Sequence, residues 1–430
     1  MKFPGQPPTL AGSTAGNLRA GGRFSPNMDT LRAVAHCWIV VAAAAYLFDL
    51  WRQTAVGLTD GSGRPFGDDF INYYSAAKLA VLGRVDEVFN LDAFNAFQEA
   101  VVGADVFYTG VSGPITFYHY GYPPVLILLT LPLAALPYAP ALFVWLGTGW
   151  YAFYRALHIA MPNGALLLAL AAPAVFLNAM AGQNGFWTAA LLGGGLVLLE
   201  RRPAVAGILF GLLIFKPHLG LLIPVALLAG RQWRAFAAAA LTALLALAAS
   251  LAAFGADIWA DFLRTTTLLR HVFLEGDAGI HHRLVSVFTA ARWLGASVGI
   301  AYIVQAVSAL IAAAVVAIAW ARNAPAPLRY TLLVLGTWIT TPYLLDYDLV
   351  ASAFAVAWLT AYAGEHPQRW RTVLFVSALA LTLPILSAPL GRLTGLSVGG
   401  LFLIAAYVPV AAMLREALAR PVTFQTPGRG

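Results

Sequence analysis

The sequence predicts an all-α, polytopic integral membrane protein, and two observations lead to this prediction. Of the 430 residues, 60% are apolar and 10% are charged. A water-soluble chain normally has about a quarter of its residues charged, so this composition excludes an ordinary soluble protein. The apolar residues also form runs close to or above the roughly 18 residues that cross a bilayer as a helix. Inside a bilayer every backbone group must be bonded within the protein, which favours helices throughout.

The apolar runs predict about 12 transmembrane helices. They are placed at residues 31–51, 123–150, 164–180, 185–200, 203–216, 218–230, 234–254, 298–321, 328–343, 346–363, 370–390 and 396–415.

Arginines indicate on which side of the membrane each break between spans lies. They precede the first span and recur in alternate later breaks, which is the pattern of cytoplasmic loops. Both termini are therefore predicted to be cytoplasmic. Two long segments, about 52–121 and 255–297, are predicted to be extracytoplasmic and to carry amphipathic helices that lie along the membrane surface.

The chain is expected to form a single transmembrane domain over residues 31–420. Residues 1–30 are rich in Gly, Pro, Ser and Thr and have no apolar signal-peptide core, so they are expected to be a disordered cytoplasmic tail. Residues 421–430 are expected to be a second cytoplasmic tail. Cys37 is the only cysteine, so the chain cannot form an intramolecular disulfide.

Several functional classes are excluded by what the sequence lacks. The net charge of +7 comes from cations scattered between spans, not from a basic face, so nucleic acid is not expected as a partner. No phosphate-binding glycine loop, dinucleotide-binding motif, His-Glu-x-x-His motif or nucleophile elbow occurs. Neither nucleotide hydrolysis nor a familiar hydrolase is therefore supported.

Five polar clusters interrupt the apolar sequence, and the predicted topology brings all five to the extracytoplasmic side. This convergence indicates an enzyme. The clusters lie around Asp69, Gln183, Lys216 and His218, His281 and His282, and Asp346 and Asp348.

The first cluster contains two adjacent acids, Asp68 and Asp69, before the sequence FINYYSAAKLAV. Apolar residues at helical spacing predict a helix on the membrane surface, with Asn72, Ser75 and Lys78 facing away from the lipid. One acid can cap this helix. The other is left without that role and could act as a general base on a hydroxyl group.

Lys216 is a charged residue inside the apolar run ILFGLLIFKPHLGLLIP. Such a residue is costly in a membrane and is a functional candidate by default. Pro217 should break the helix near Phe215 and group Lys216 with His218, where the two could bind phosphate. The alternative is a lysine that reaches water from an ordinary turn.

The remaining clusters are weaker. Residues 181–185 have the composition of a plain turn, and helix capping accounts for one of Asp346 and Asp348. Arg283 and the two histidines before it are candidates for phosphate or sugar contacts. Five residues could also ligate a divalent metal, but their spacing matches no regular site. These are His271, Glu275, Asp277, His281 and His282.

The chain resembles glycosyltransferase family 87 of the GT-C superfamily over three successive blocks. They begin GDDFINYYSAAKLAV, YGYPPVLILL and AGQNGFWTAALL, and the third continues to FKPHLGLLIPVALL. The resemblance implies a bacterial inner-membrane mannosyltransferase that takes a hexose from a polyprenyl-phosphate donor. The acceptor would be a lipid or glycan hydroxyl at the extracytoplasmic face. No metal or other cofactor is expected.

The resemblance also implies roles for individual residues. Asp69 matches the family's catalytic base, which would take the proton of the acceptor hydroxyl while the sugar's anomeric carbon is inverted. Lys216, His218 and Arg283 would stabilise the departing phosphate. The other expected substrate contacts are Tyr73, Tyr122, Gln183, Asn184, His281, His282 and Asp346.

Two other functional classes remain open on the sequence. The first is a lipid or solute transporter or flippase, in which Lys216 and Asp346 would be coupling or substrate sites near the midplane. Polar residues gathered at one face and long external segments are not typical of a carrier. The second is a polymer ligase or lipid-modifying factor that shares the fold but lacks transfer activity.

Overall fold

The computed structural model describes residues 27–108, 117–276, 279–395 and 397–419, and these residues form helices and connecting turns without a β-strand. The helices are α1 (Met28–Arg52), α2 (Phe70–Val81), α3 (Leu91–Val102), α4 (Val125–Thr130), α5 (Tyr138–Ala160), α6 (Ala165–Ala171), α7 (Pro173–Met180), α8 (Gly185–Leu198), α9 (Pro203–Leu212), α10 (Leu222–Ala229), α11 (Trp233–Leu269), α12 (Val287–Trp293), α13 (Val298–Ala321), α14 (Ala326–Thr340), α15 (Ser352–Glu365), α16 (Trp370–Thr394) and α17 (Gly399–Ala419).

The all-helical membrane architecture is confirmed, but the predicted number of crossings is not. Within the described ranges, five helical stretches are long and apolar enough to span a bilayer. They are Asp29–Arg52, Trp233–Glu275, Val298–Ala321, Pro367–Thr394 and Gly399–Ala419. Several other predicted spans consist of shorter helices, so about 12 crossings remains a prediction.

Two predicted spans are broken. The span placed at 164–180 is divided into α6 and α7, because Pro173 begins a new helix and cannot continue the preceding one. The span placed at 123–150 is divided between α4, a 3₁₀ turn at Leu131–Ala135, and α5, which starts only at Tyr138. Prolines near these breaks explain both corrections.

The ends of the predicted domain are partly outside the described residues. Residues 1–26 and 420–430, which include most of the predicted tails, are not described. Helix α1 begins three residues earlier than the predicted boundary at 31. The side chain of Asn27 caps it by accepting hydrogen bonds from the backbone of Asp29 and Thr30.

The first long segment does carry helices, but α2 is not a surface helix. Asn72 and Ser75, predicted to face away from the lipid into water, are both buried. Gln98 of α3 covers this side and donates a 3.0 Å hydrogen bond to Asn72 Oδ1. Only Lys78 is partly exposed, and its Nζ donates to the backbone oxygen of Ala134. The prediction failed because α3 provides a polar partner that makes burial of α2 tolerable.

The second long segment begins at an interruption of α11. Gly255 has φ of 82° and ψ of 171°, so the helix changes direction there. The segment continues as a π-helical turn at Arg270–Glu275, a 3₁₀ turn at His281–Arg283 and helix α12. The interruption at Gly255 coincides with the predicted start of this segment, and its extracytoplasmic position remains a prediction.

The core forms around α8 and α14. Most of α8 and all of α14 from Leu328 onward are buried, and these helices pack against α5, α9, α13 and α15. The turn before α8 and the turn after α14 are thereby held in fixed positions. Both turns contain polar residues that the sequence singled out.

The predicted topology can be tested by cysteine labelling in a Cys37→Ser background. We expect cysteines at Asp86 and Leu294, which are exposed, to react with an impermeant thiol reagent from outside. Cysteines at Arg201 and Arg322, also exposed, should react only after the membrane is opened. Labelling of intact cells and permeabilised cells measures this. Reaction at Arg201→Cys in intact cells, or none at Asp86→Cys, would contradict the topology.

Candidate active site

One cavity of about 340 Å³ collects residues from four of the five polar clusters. Its polar wall contains Asp69, Gln183, Lys216, His218 and Asp348. Five tyrosines and one further histidine also belong to this wall: Tyr108, Tyr118, Tyr122, Tyr343, Tyr347 and His119.

Asp69 is buried immediately before α2, with 6% of its surface exposed. Its side chain does not cap the helix. Instead, Oδ2 accepts a 2.8 Å hydrogen bond from Nε2 of Gln183. Asp68 does not act as a cap either, because its carboxylate accepts from Arg64 and from the Tyr118 hydroxyl. Neither acid is therefore accounted for by helix capping.

The turn that carries Gln183 lies unusually close to the loop that carries Asp69. Gly182 has φ of 59°, and a Cβ added there would lie 2.0 Å from the backbone oxygen of Gly67. Only glycine combines this left-handed conformation with so close an approach. The plain turn expected at residues 181–185 is therefore a contact that joins two parts of the site.

Gln183 links Asp69 to two tyrosines. Its Oε1 accepts hydrogen bonds from the hydroxyls of Tyr73 at 2.5 Å and Tyr122 at 3.0 Å. Because the phenols donate to Oε1, the amide nitrogen is directed at the carboxylate. Asn184, which is fully buried, donates from Nδ2 to the Tyr73 hydroxyl at 3.0 Å.

Lys216 lies at the predicted helix break. Helix α9 ends at Leu212, a 3₁₀ turn covers Leu213–Phe215, and Lys216 has a non-helical backbone before Pro217. Its Nζ donates to Asn184 Oδ1 at 3.0 Å and forms an ion pair with Asp348. Both side chains of this pair are at most 4% exposed. The alternative that Lys216 reaches water from an ordinary turn is therefore wrong.

A continuous series of hydrogen bonds connects Asp69 with the ion pair of Lys216 and Asp348. Each side chain has a donor or acceptor that matches the next, so the polar wall is ordered without a ligand. The series is Asp69, Gln183, Tyr73, Asn184, Lys216 and Asp348.

The environment of Asp69 alters its proton affinity. Burial and the neighbouring charge of Asp68 raise the pKa of Asp69 to about 7, although the hydrogen bond from Gln183 and the charges of Arg283 and Arg64 oppose the shift. A carboxyl group with a pKa near the working pH can both take up and release a proton, as a general base must. In the described part of the chain, nothing donates a hydrogen bond to its Oδ1.

Arg283 and Asp346 form a bidentate pair behind the cavity wall. Nε and Nη2 of Arg283 donate to the Asp346 carboxylate at 3.2 and 3.0 Å, and the guanidinium lies 5.5 Å from the Tyr347 ring centroid. Neither residue is among the described residues that line the cavity. Asp348 lines the cavity, whereas Asp346 is the substrate contact predicted from the sequence.

The two predicted histidines lie apart from this cavity. His281 lines a second cavity with Arg292, while His282 Nε2 lies 2.9 Å from the guanidinium of Arg392. Burial and the Arg392 charge lower the pKa of His282, so its ring is neutral near pH 7. The structure therefore does not bring the His281–His282 cluster together with Asp69 and Lys216.

The described residues among the five metal-ligand candidates do not gather into a metal site. His271 bonds to Glu275 through Nδ1 at 2.6 Å, and Asp277 lies outside the described residues. No group of three or more His, Cys, Asp or Glu side chains in the described ranges is arranged to hold a metal ion.

Two features of the site were not predicted from the sequence. They are the identity of the acid that pairs with Lys216, and most of the tyrosines that line the cavity. Asp348 lies 132 residues from Lys216 in the chain. A buried lysine predicts that a buried acid lies near it. The sequence does not show which of Asp346 and Asp348 is this acid. Tyr343 and Tyr347 flank the same acids and could have been noted as possible ring contacts.

Apolar side chains line much of the rest of the cavity, together with Thr266 and Arg270. They come from the second half of α11, the π-helical turn after it, the segment that follows this turn, and the turn before Lys216. This wall suits an apolar chain, while the opposite wall offers hydroxyl, amide and charged groups. The residues are Phe215, Phe262, Leu269, Phe273, Leu274 and Ile280.

A comparison with protein-family models identifies the chain. The model of glycosyltransferase family 87 matches residues 120–345, which is more than half of the sequence. The chain belongs to glycosyltransferase family 87. It is therefore a glycosyltransferase, and its apolar helices make it a multi-pass membrane protein. Neither the curated proteins nor the solved structures contain a significant match.

The matched region includes most of the cavity. Gln183, Lys216, His218 and Tyr343 fall within it, whereas Asp69 precedes it. Asp69 is connected to the matched region through its hydrogen bond with Gln183. The matched region thus forms most of the cavity, while Asp69 and Asp348 lie outside it in the sequence.

Gly182→Ala tests the close approach of the two loops. The added Cβ would collide with the Gly67 oxygen, so Gln183 and Asp69 should separate. A displacement of about 1 Å can lower an enzyme's rate about a hundredfold, and we expect a loss of sugar transfer of this order. Transfer by the purified protein, measured with its thermal unfolding midpoint, checks this.

Gly103→Ala is the matched control for Gly182→Ala. Gly103 has a similar φ of 70°, but an added Cβ meets nothing within 4 Å. This variant should lose about 1 kcal/mol of stability and keep its activity. Equal losses of transfer in the two variants would mean that backbone strain, and not the contact with Gly67, causes the effect.

Proposed function

We propose that this glycosyltransferase moves a hexose, mannose by the family resemblance, from a polyprenyl-phosphate donor to a hydroxyl of a lipid or glycan. The reaction would occur at the extracytoplasmic face of a bacterial inner membrane. One observation carries the proposal: Asp69 and Lys216 line the same cavity and are joined by hydrogen bonds. A base and a phosphate-binding cation on opposite parts of one cavity are what an inverting transfer requires.

In the proposed reaction Asp69 is the general base. It takes the proton of the acceptor hydroxyl while that oxygen attacks the anomeric carbon of the sugar. The bond from this carbon to the phosphate oxygen breaks, and its electron pair leaves with the polyprenyl phosphate. Gln183 holds Asp69 through Oδ2, which leaves Oδ1 for the acceptor. Attack from the side opposite the phosphate inverts the configuration.

The departing phosphate would be bound at the other end of the polar wall. Lys216 is fixed there between Asn184 and Asp348 and also lies 5.9 Å from the Tyr122 ring centroid. A cation that is already oriented stabilises the charge that develops on the leaving group without reorganisation. His218 lines the same part of the cavity and could donate a further hydrogen bond.

The apolar wall supports a lipid-linked donor. A polyprenyl chain needs a largely apolar surface, and Phe262, Leu269 and Phe273 provide one next to the polar wall, with Arg270 as the charged residue on this side. Lipid attachment of the donor also agrees with the lack of a nucleotide-binding motif in the sequence. The sugar would then lie at the junction of the two walls.

Asp69→Asn should abolish most of the transfer. The substitution keeps the shape of the side chain and removes its basicity, so we expect a folded protein with activity at least about a hundredfold lower. Initial rates with a polyprenyl-phosphate mannose and a crude envelope lipid acceptor measure this. Asp68→Asn should be milder, and Asp86→Asn, at an exposed position on the same segment, should have no effect.

The pH dependence of transfer gives an independent check on Asp69. The base works only when deprotonated, so transfer should rise with pH through an apparent pKa near that of Asp69, about 7, and decrease below it. The residual activity of Asp69→Asn should not show this decrease at low pH. Activity like that of the wild type in Asp69→Asn would rule out Asp69 as the base.

Lys216→Met distinguishes an enzyme from a transporter. Loss of the cation should lower transfer far more than it lowers the amount of folded protein, and Lys216→Arg should recover part of the loss because guanidinium also binds phosphate. The assay uses purified protein in liposomes with radiolabelled lipid-linked sugar and a crude acceptor pool. Label that changes leaflet but never leaves its phosphate carrier would favour the transporter.

A second variant controls for the buried ion pair. Lys216→Met leaves the Asp348 charge uncompensated, which by itself can cost about 3 to 5 kcal/mol. The double variant Lys216→Met/Asp348→Leu removes this buried charge and should regain stability without regaining transfer. Recovery of transfer in the double variant would mean that Lys216 only neutralises Asp348.

A further inference from the structure

The two adjacent acids before α2 face different partners. Asp68 has φ of 52°, a left-handed conformation that few residues other than glycine, Asn and Asp adopt. Its Oδ1 accepts from the Tyr118 hydroxyl at 2.5 Å and its Oδ2 accepts from Arg64 Nε at 3.0 Å. Asp69 faces Gln183 instead. The backbone conformation thus separates two negative charges that are neighbours in the chain.

Arg64 links Asp68 to the end of α1. Its Nη1 donates to Asp49 Oδ1 at 2.8 Å. The other oxygen of Asp49 accepts from Gln53 Nε2 at 3.1 Å, and Gln53 Oε1 accepts from the backbone of Gly67 at 2.9 Å. The last turn of α1 is therefore tied to the Asp69 loop at two points, one of them through Arg64.

The Arg64 cluster is largely removed from water. The side chains of Arg64, Asp49 and Asp68 are 19%, 11% and 15% exposed. Charges in such surroundings act on one another more strongly than they do in water. Arg64 is the only cation bonded to Asp68 among the described residues, so its loss would leave the Asp68 carboxylate uncompensated beside Asp69.

We propose that Arg64 is a positioning residue for the transfer reaction: by binding Asp68 and Asp49 together, it turns the Asp68 carboxylate away from Asp69 and compensates its charge. The proposal rests on the proposed role of Asp69 as the base. It assigns a task to the second acid of the Asp68–Asp69 pair, which the reaction itself does not use. It also gives the end of α1 a part in the active site.

Charged groups on several elements act on Asp69. Asp68 raises its proton affinity, and Arg64 and Arg283 lower it. The Lys216–Asp348 pair, Arg270, His119, His218, Tyr343 and Tyr347 line the same cavity. Burial raises the pKa of four nearby phenols, so they are neutral at neutral pH: Tyr73, Tyr108, Tyr118 and Tyr122.

The experiment is the pH profile of kcat/KM for the purified full-length protein in liposomes, with the polyprenyl-phosphate sugar on which the wild type is active. The acidic limb of this profile is the range in which kcat/KM rises as Asp69 loses its proton. In Arg64→Met the uncompensated charge of Asp68 should move this limb upward by about one pH unit. Transfer at pH 6 should then fall about tenfold, while the plateau at high pH is largely kept. Adding Asp68→Asn to Arg64→Met should return the limb to its original position or below it.

Asp68→Asn alone keeps the proposal testable if Arg64→Met does not fold. It removes the neighbouring negative charge and should move the limb downward, opposite to the shift in Arg64→Met. Arg84→Gln is the control, because Arg84 lies on the same segment, is exposed, and among the described residues forms an ion pair with Glu87 alone. An equal loss of activity at every pH in Arg64→Met, or an unmoved limb in Asp68→Asn, would overturn the proposal.

The two proposals fail in different ways. If Asp69→Asn abolishes transfer and the Arg64 and Asp68 variants leave the limb in place, Asp69 remains the base and Arg64 has only a structural role. If Asp69→Asn transfers sugar at the wild-type rate, the proposed base is wrong, and with it the role of Arg64.

Discussion

The buried ion pair of Lys216 and Asp348 is the constraint on which the site depends. Two charges at most 4% exposed in an apolar protein are tolerated only when each is compensated and hydrogen-bonded. The pair fixes the break after α9 against the turn after α14, and Asn184 extends the contact to the turn before α8. Gln183 on that same turn then reaches Asp69. One electrostatic requirement thus holds three turns and the acidic loop around one cavity.

The sequence predicted the features that local chemistry determines. Pro217 predicted the break at Lys216, the composition of residues 181–185 predicted a turn, and the apolar runs predicted an all-helical membrane protein. Lys216 could be selected because a charge is costly in an apolar run, and Asp69 because helix capping needs only one of the two adjacent acids. These inferences needed no knowledge of which segments pack together.

The features that the sequence did not predict depend on distant contacts. Periodicity placed Asn72 and Ser75 in water, but α3 covers them and Gln98 bonds to Asn72. The choice of Asp348 over Asp346 is made by Lys216, which is far away in the chain. The division of α6 from α7 does not depend on a distant contact, because Pro173 begins the second helix. A single span was predicted there because the apolar run is long enough to cross a bilayer.

In the proposed reaction, Asp69 and Lys216 act on one substrate in one cavity. A structure of the protein with bound polyprenyl phosphate would show whether they do. We expect the phosphate within about 3 Å of Lys216 Nζ and the lipid chain along Phe262 and Leu269. Asp69 should face the position of the sugar from the side opposite the phosphate. A phosphate bound outside this cavity, or on the same side of the sugar as Asp69, would rule out the proposed reaction.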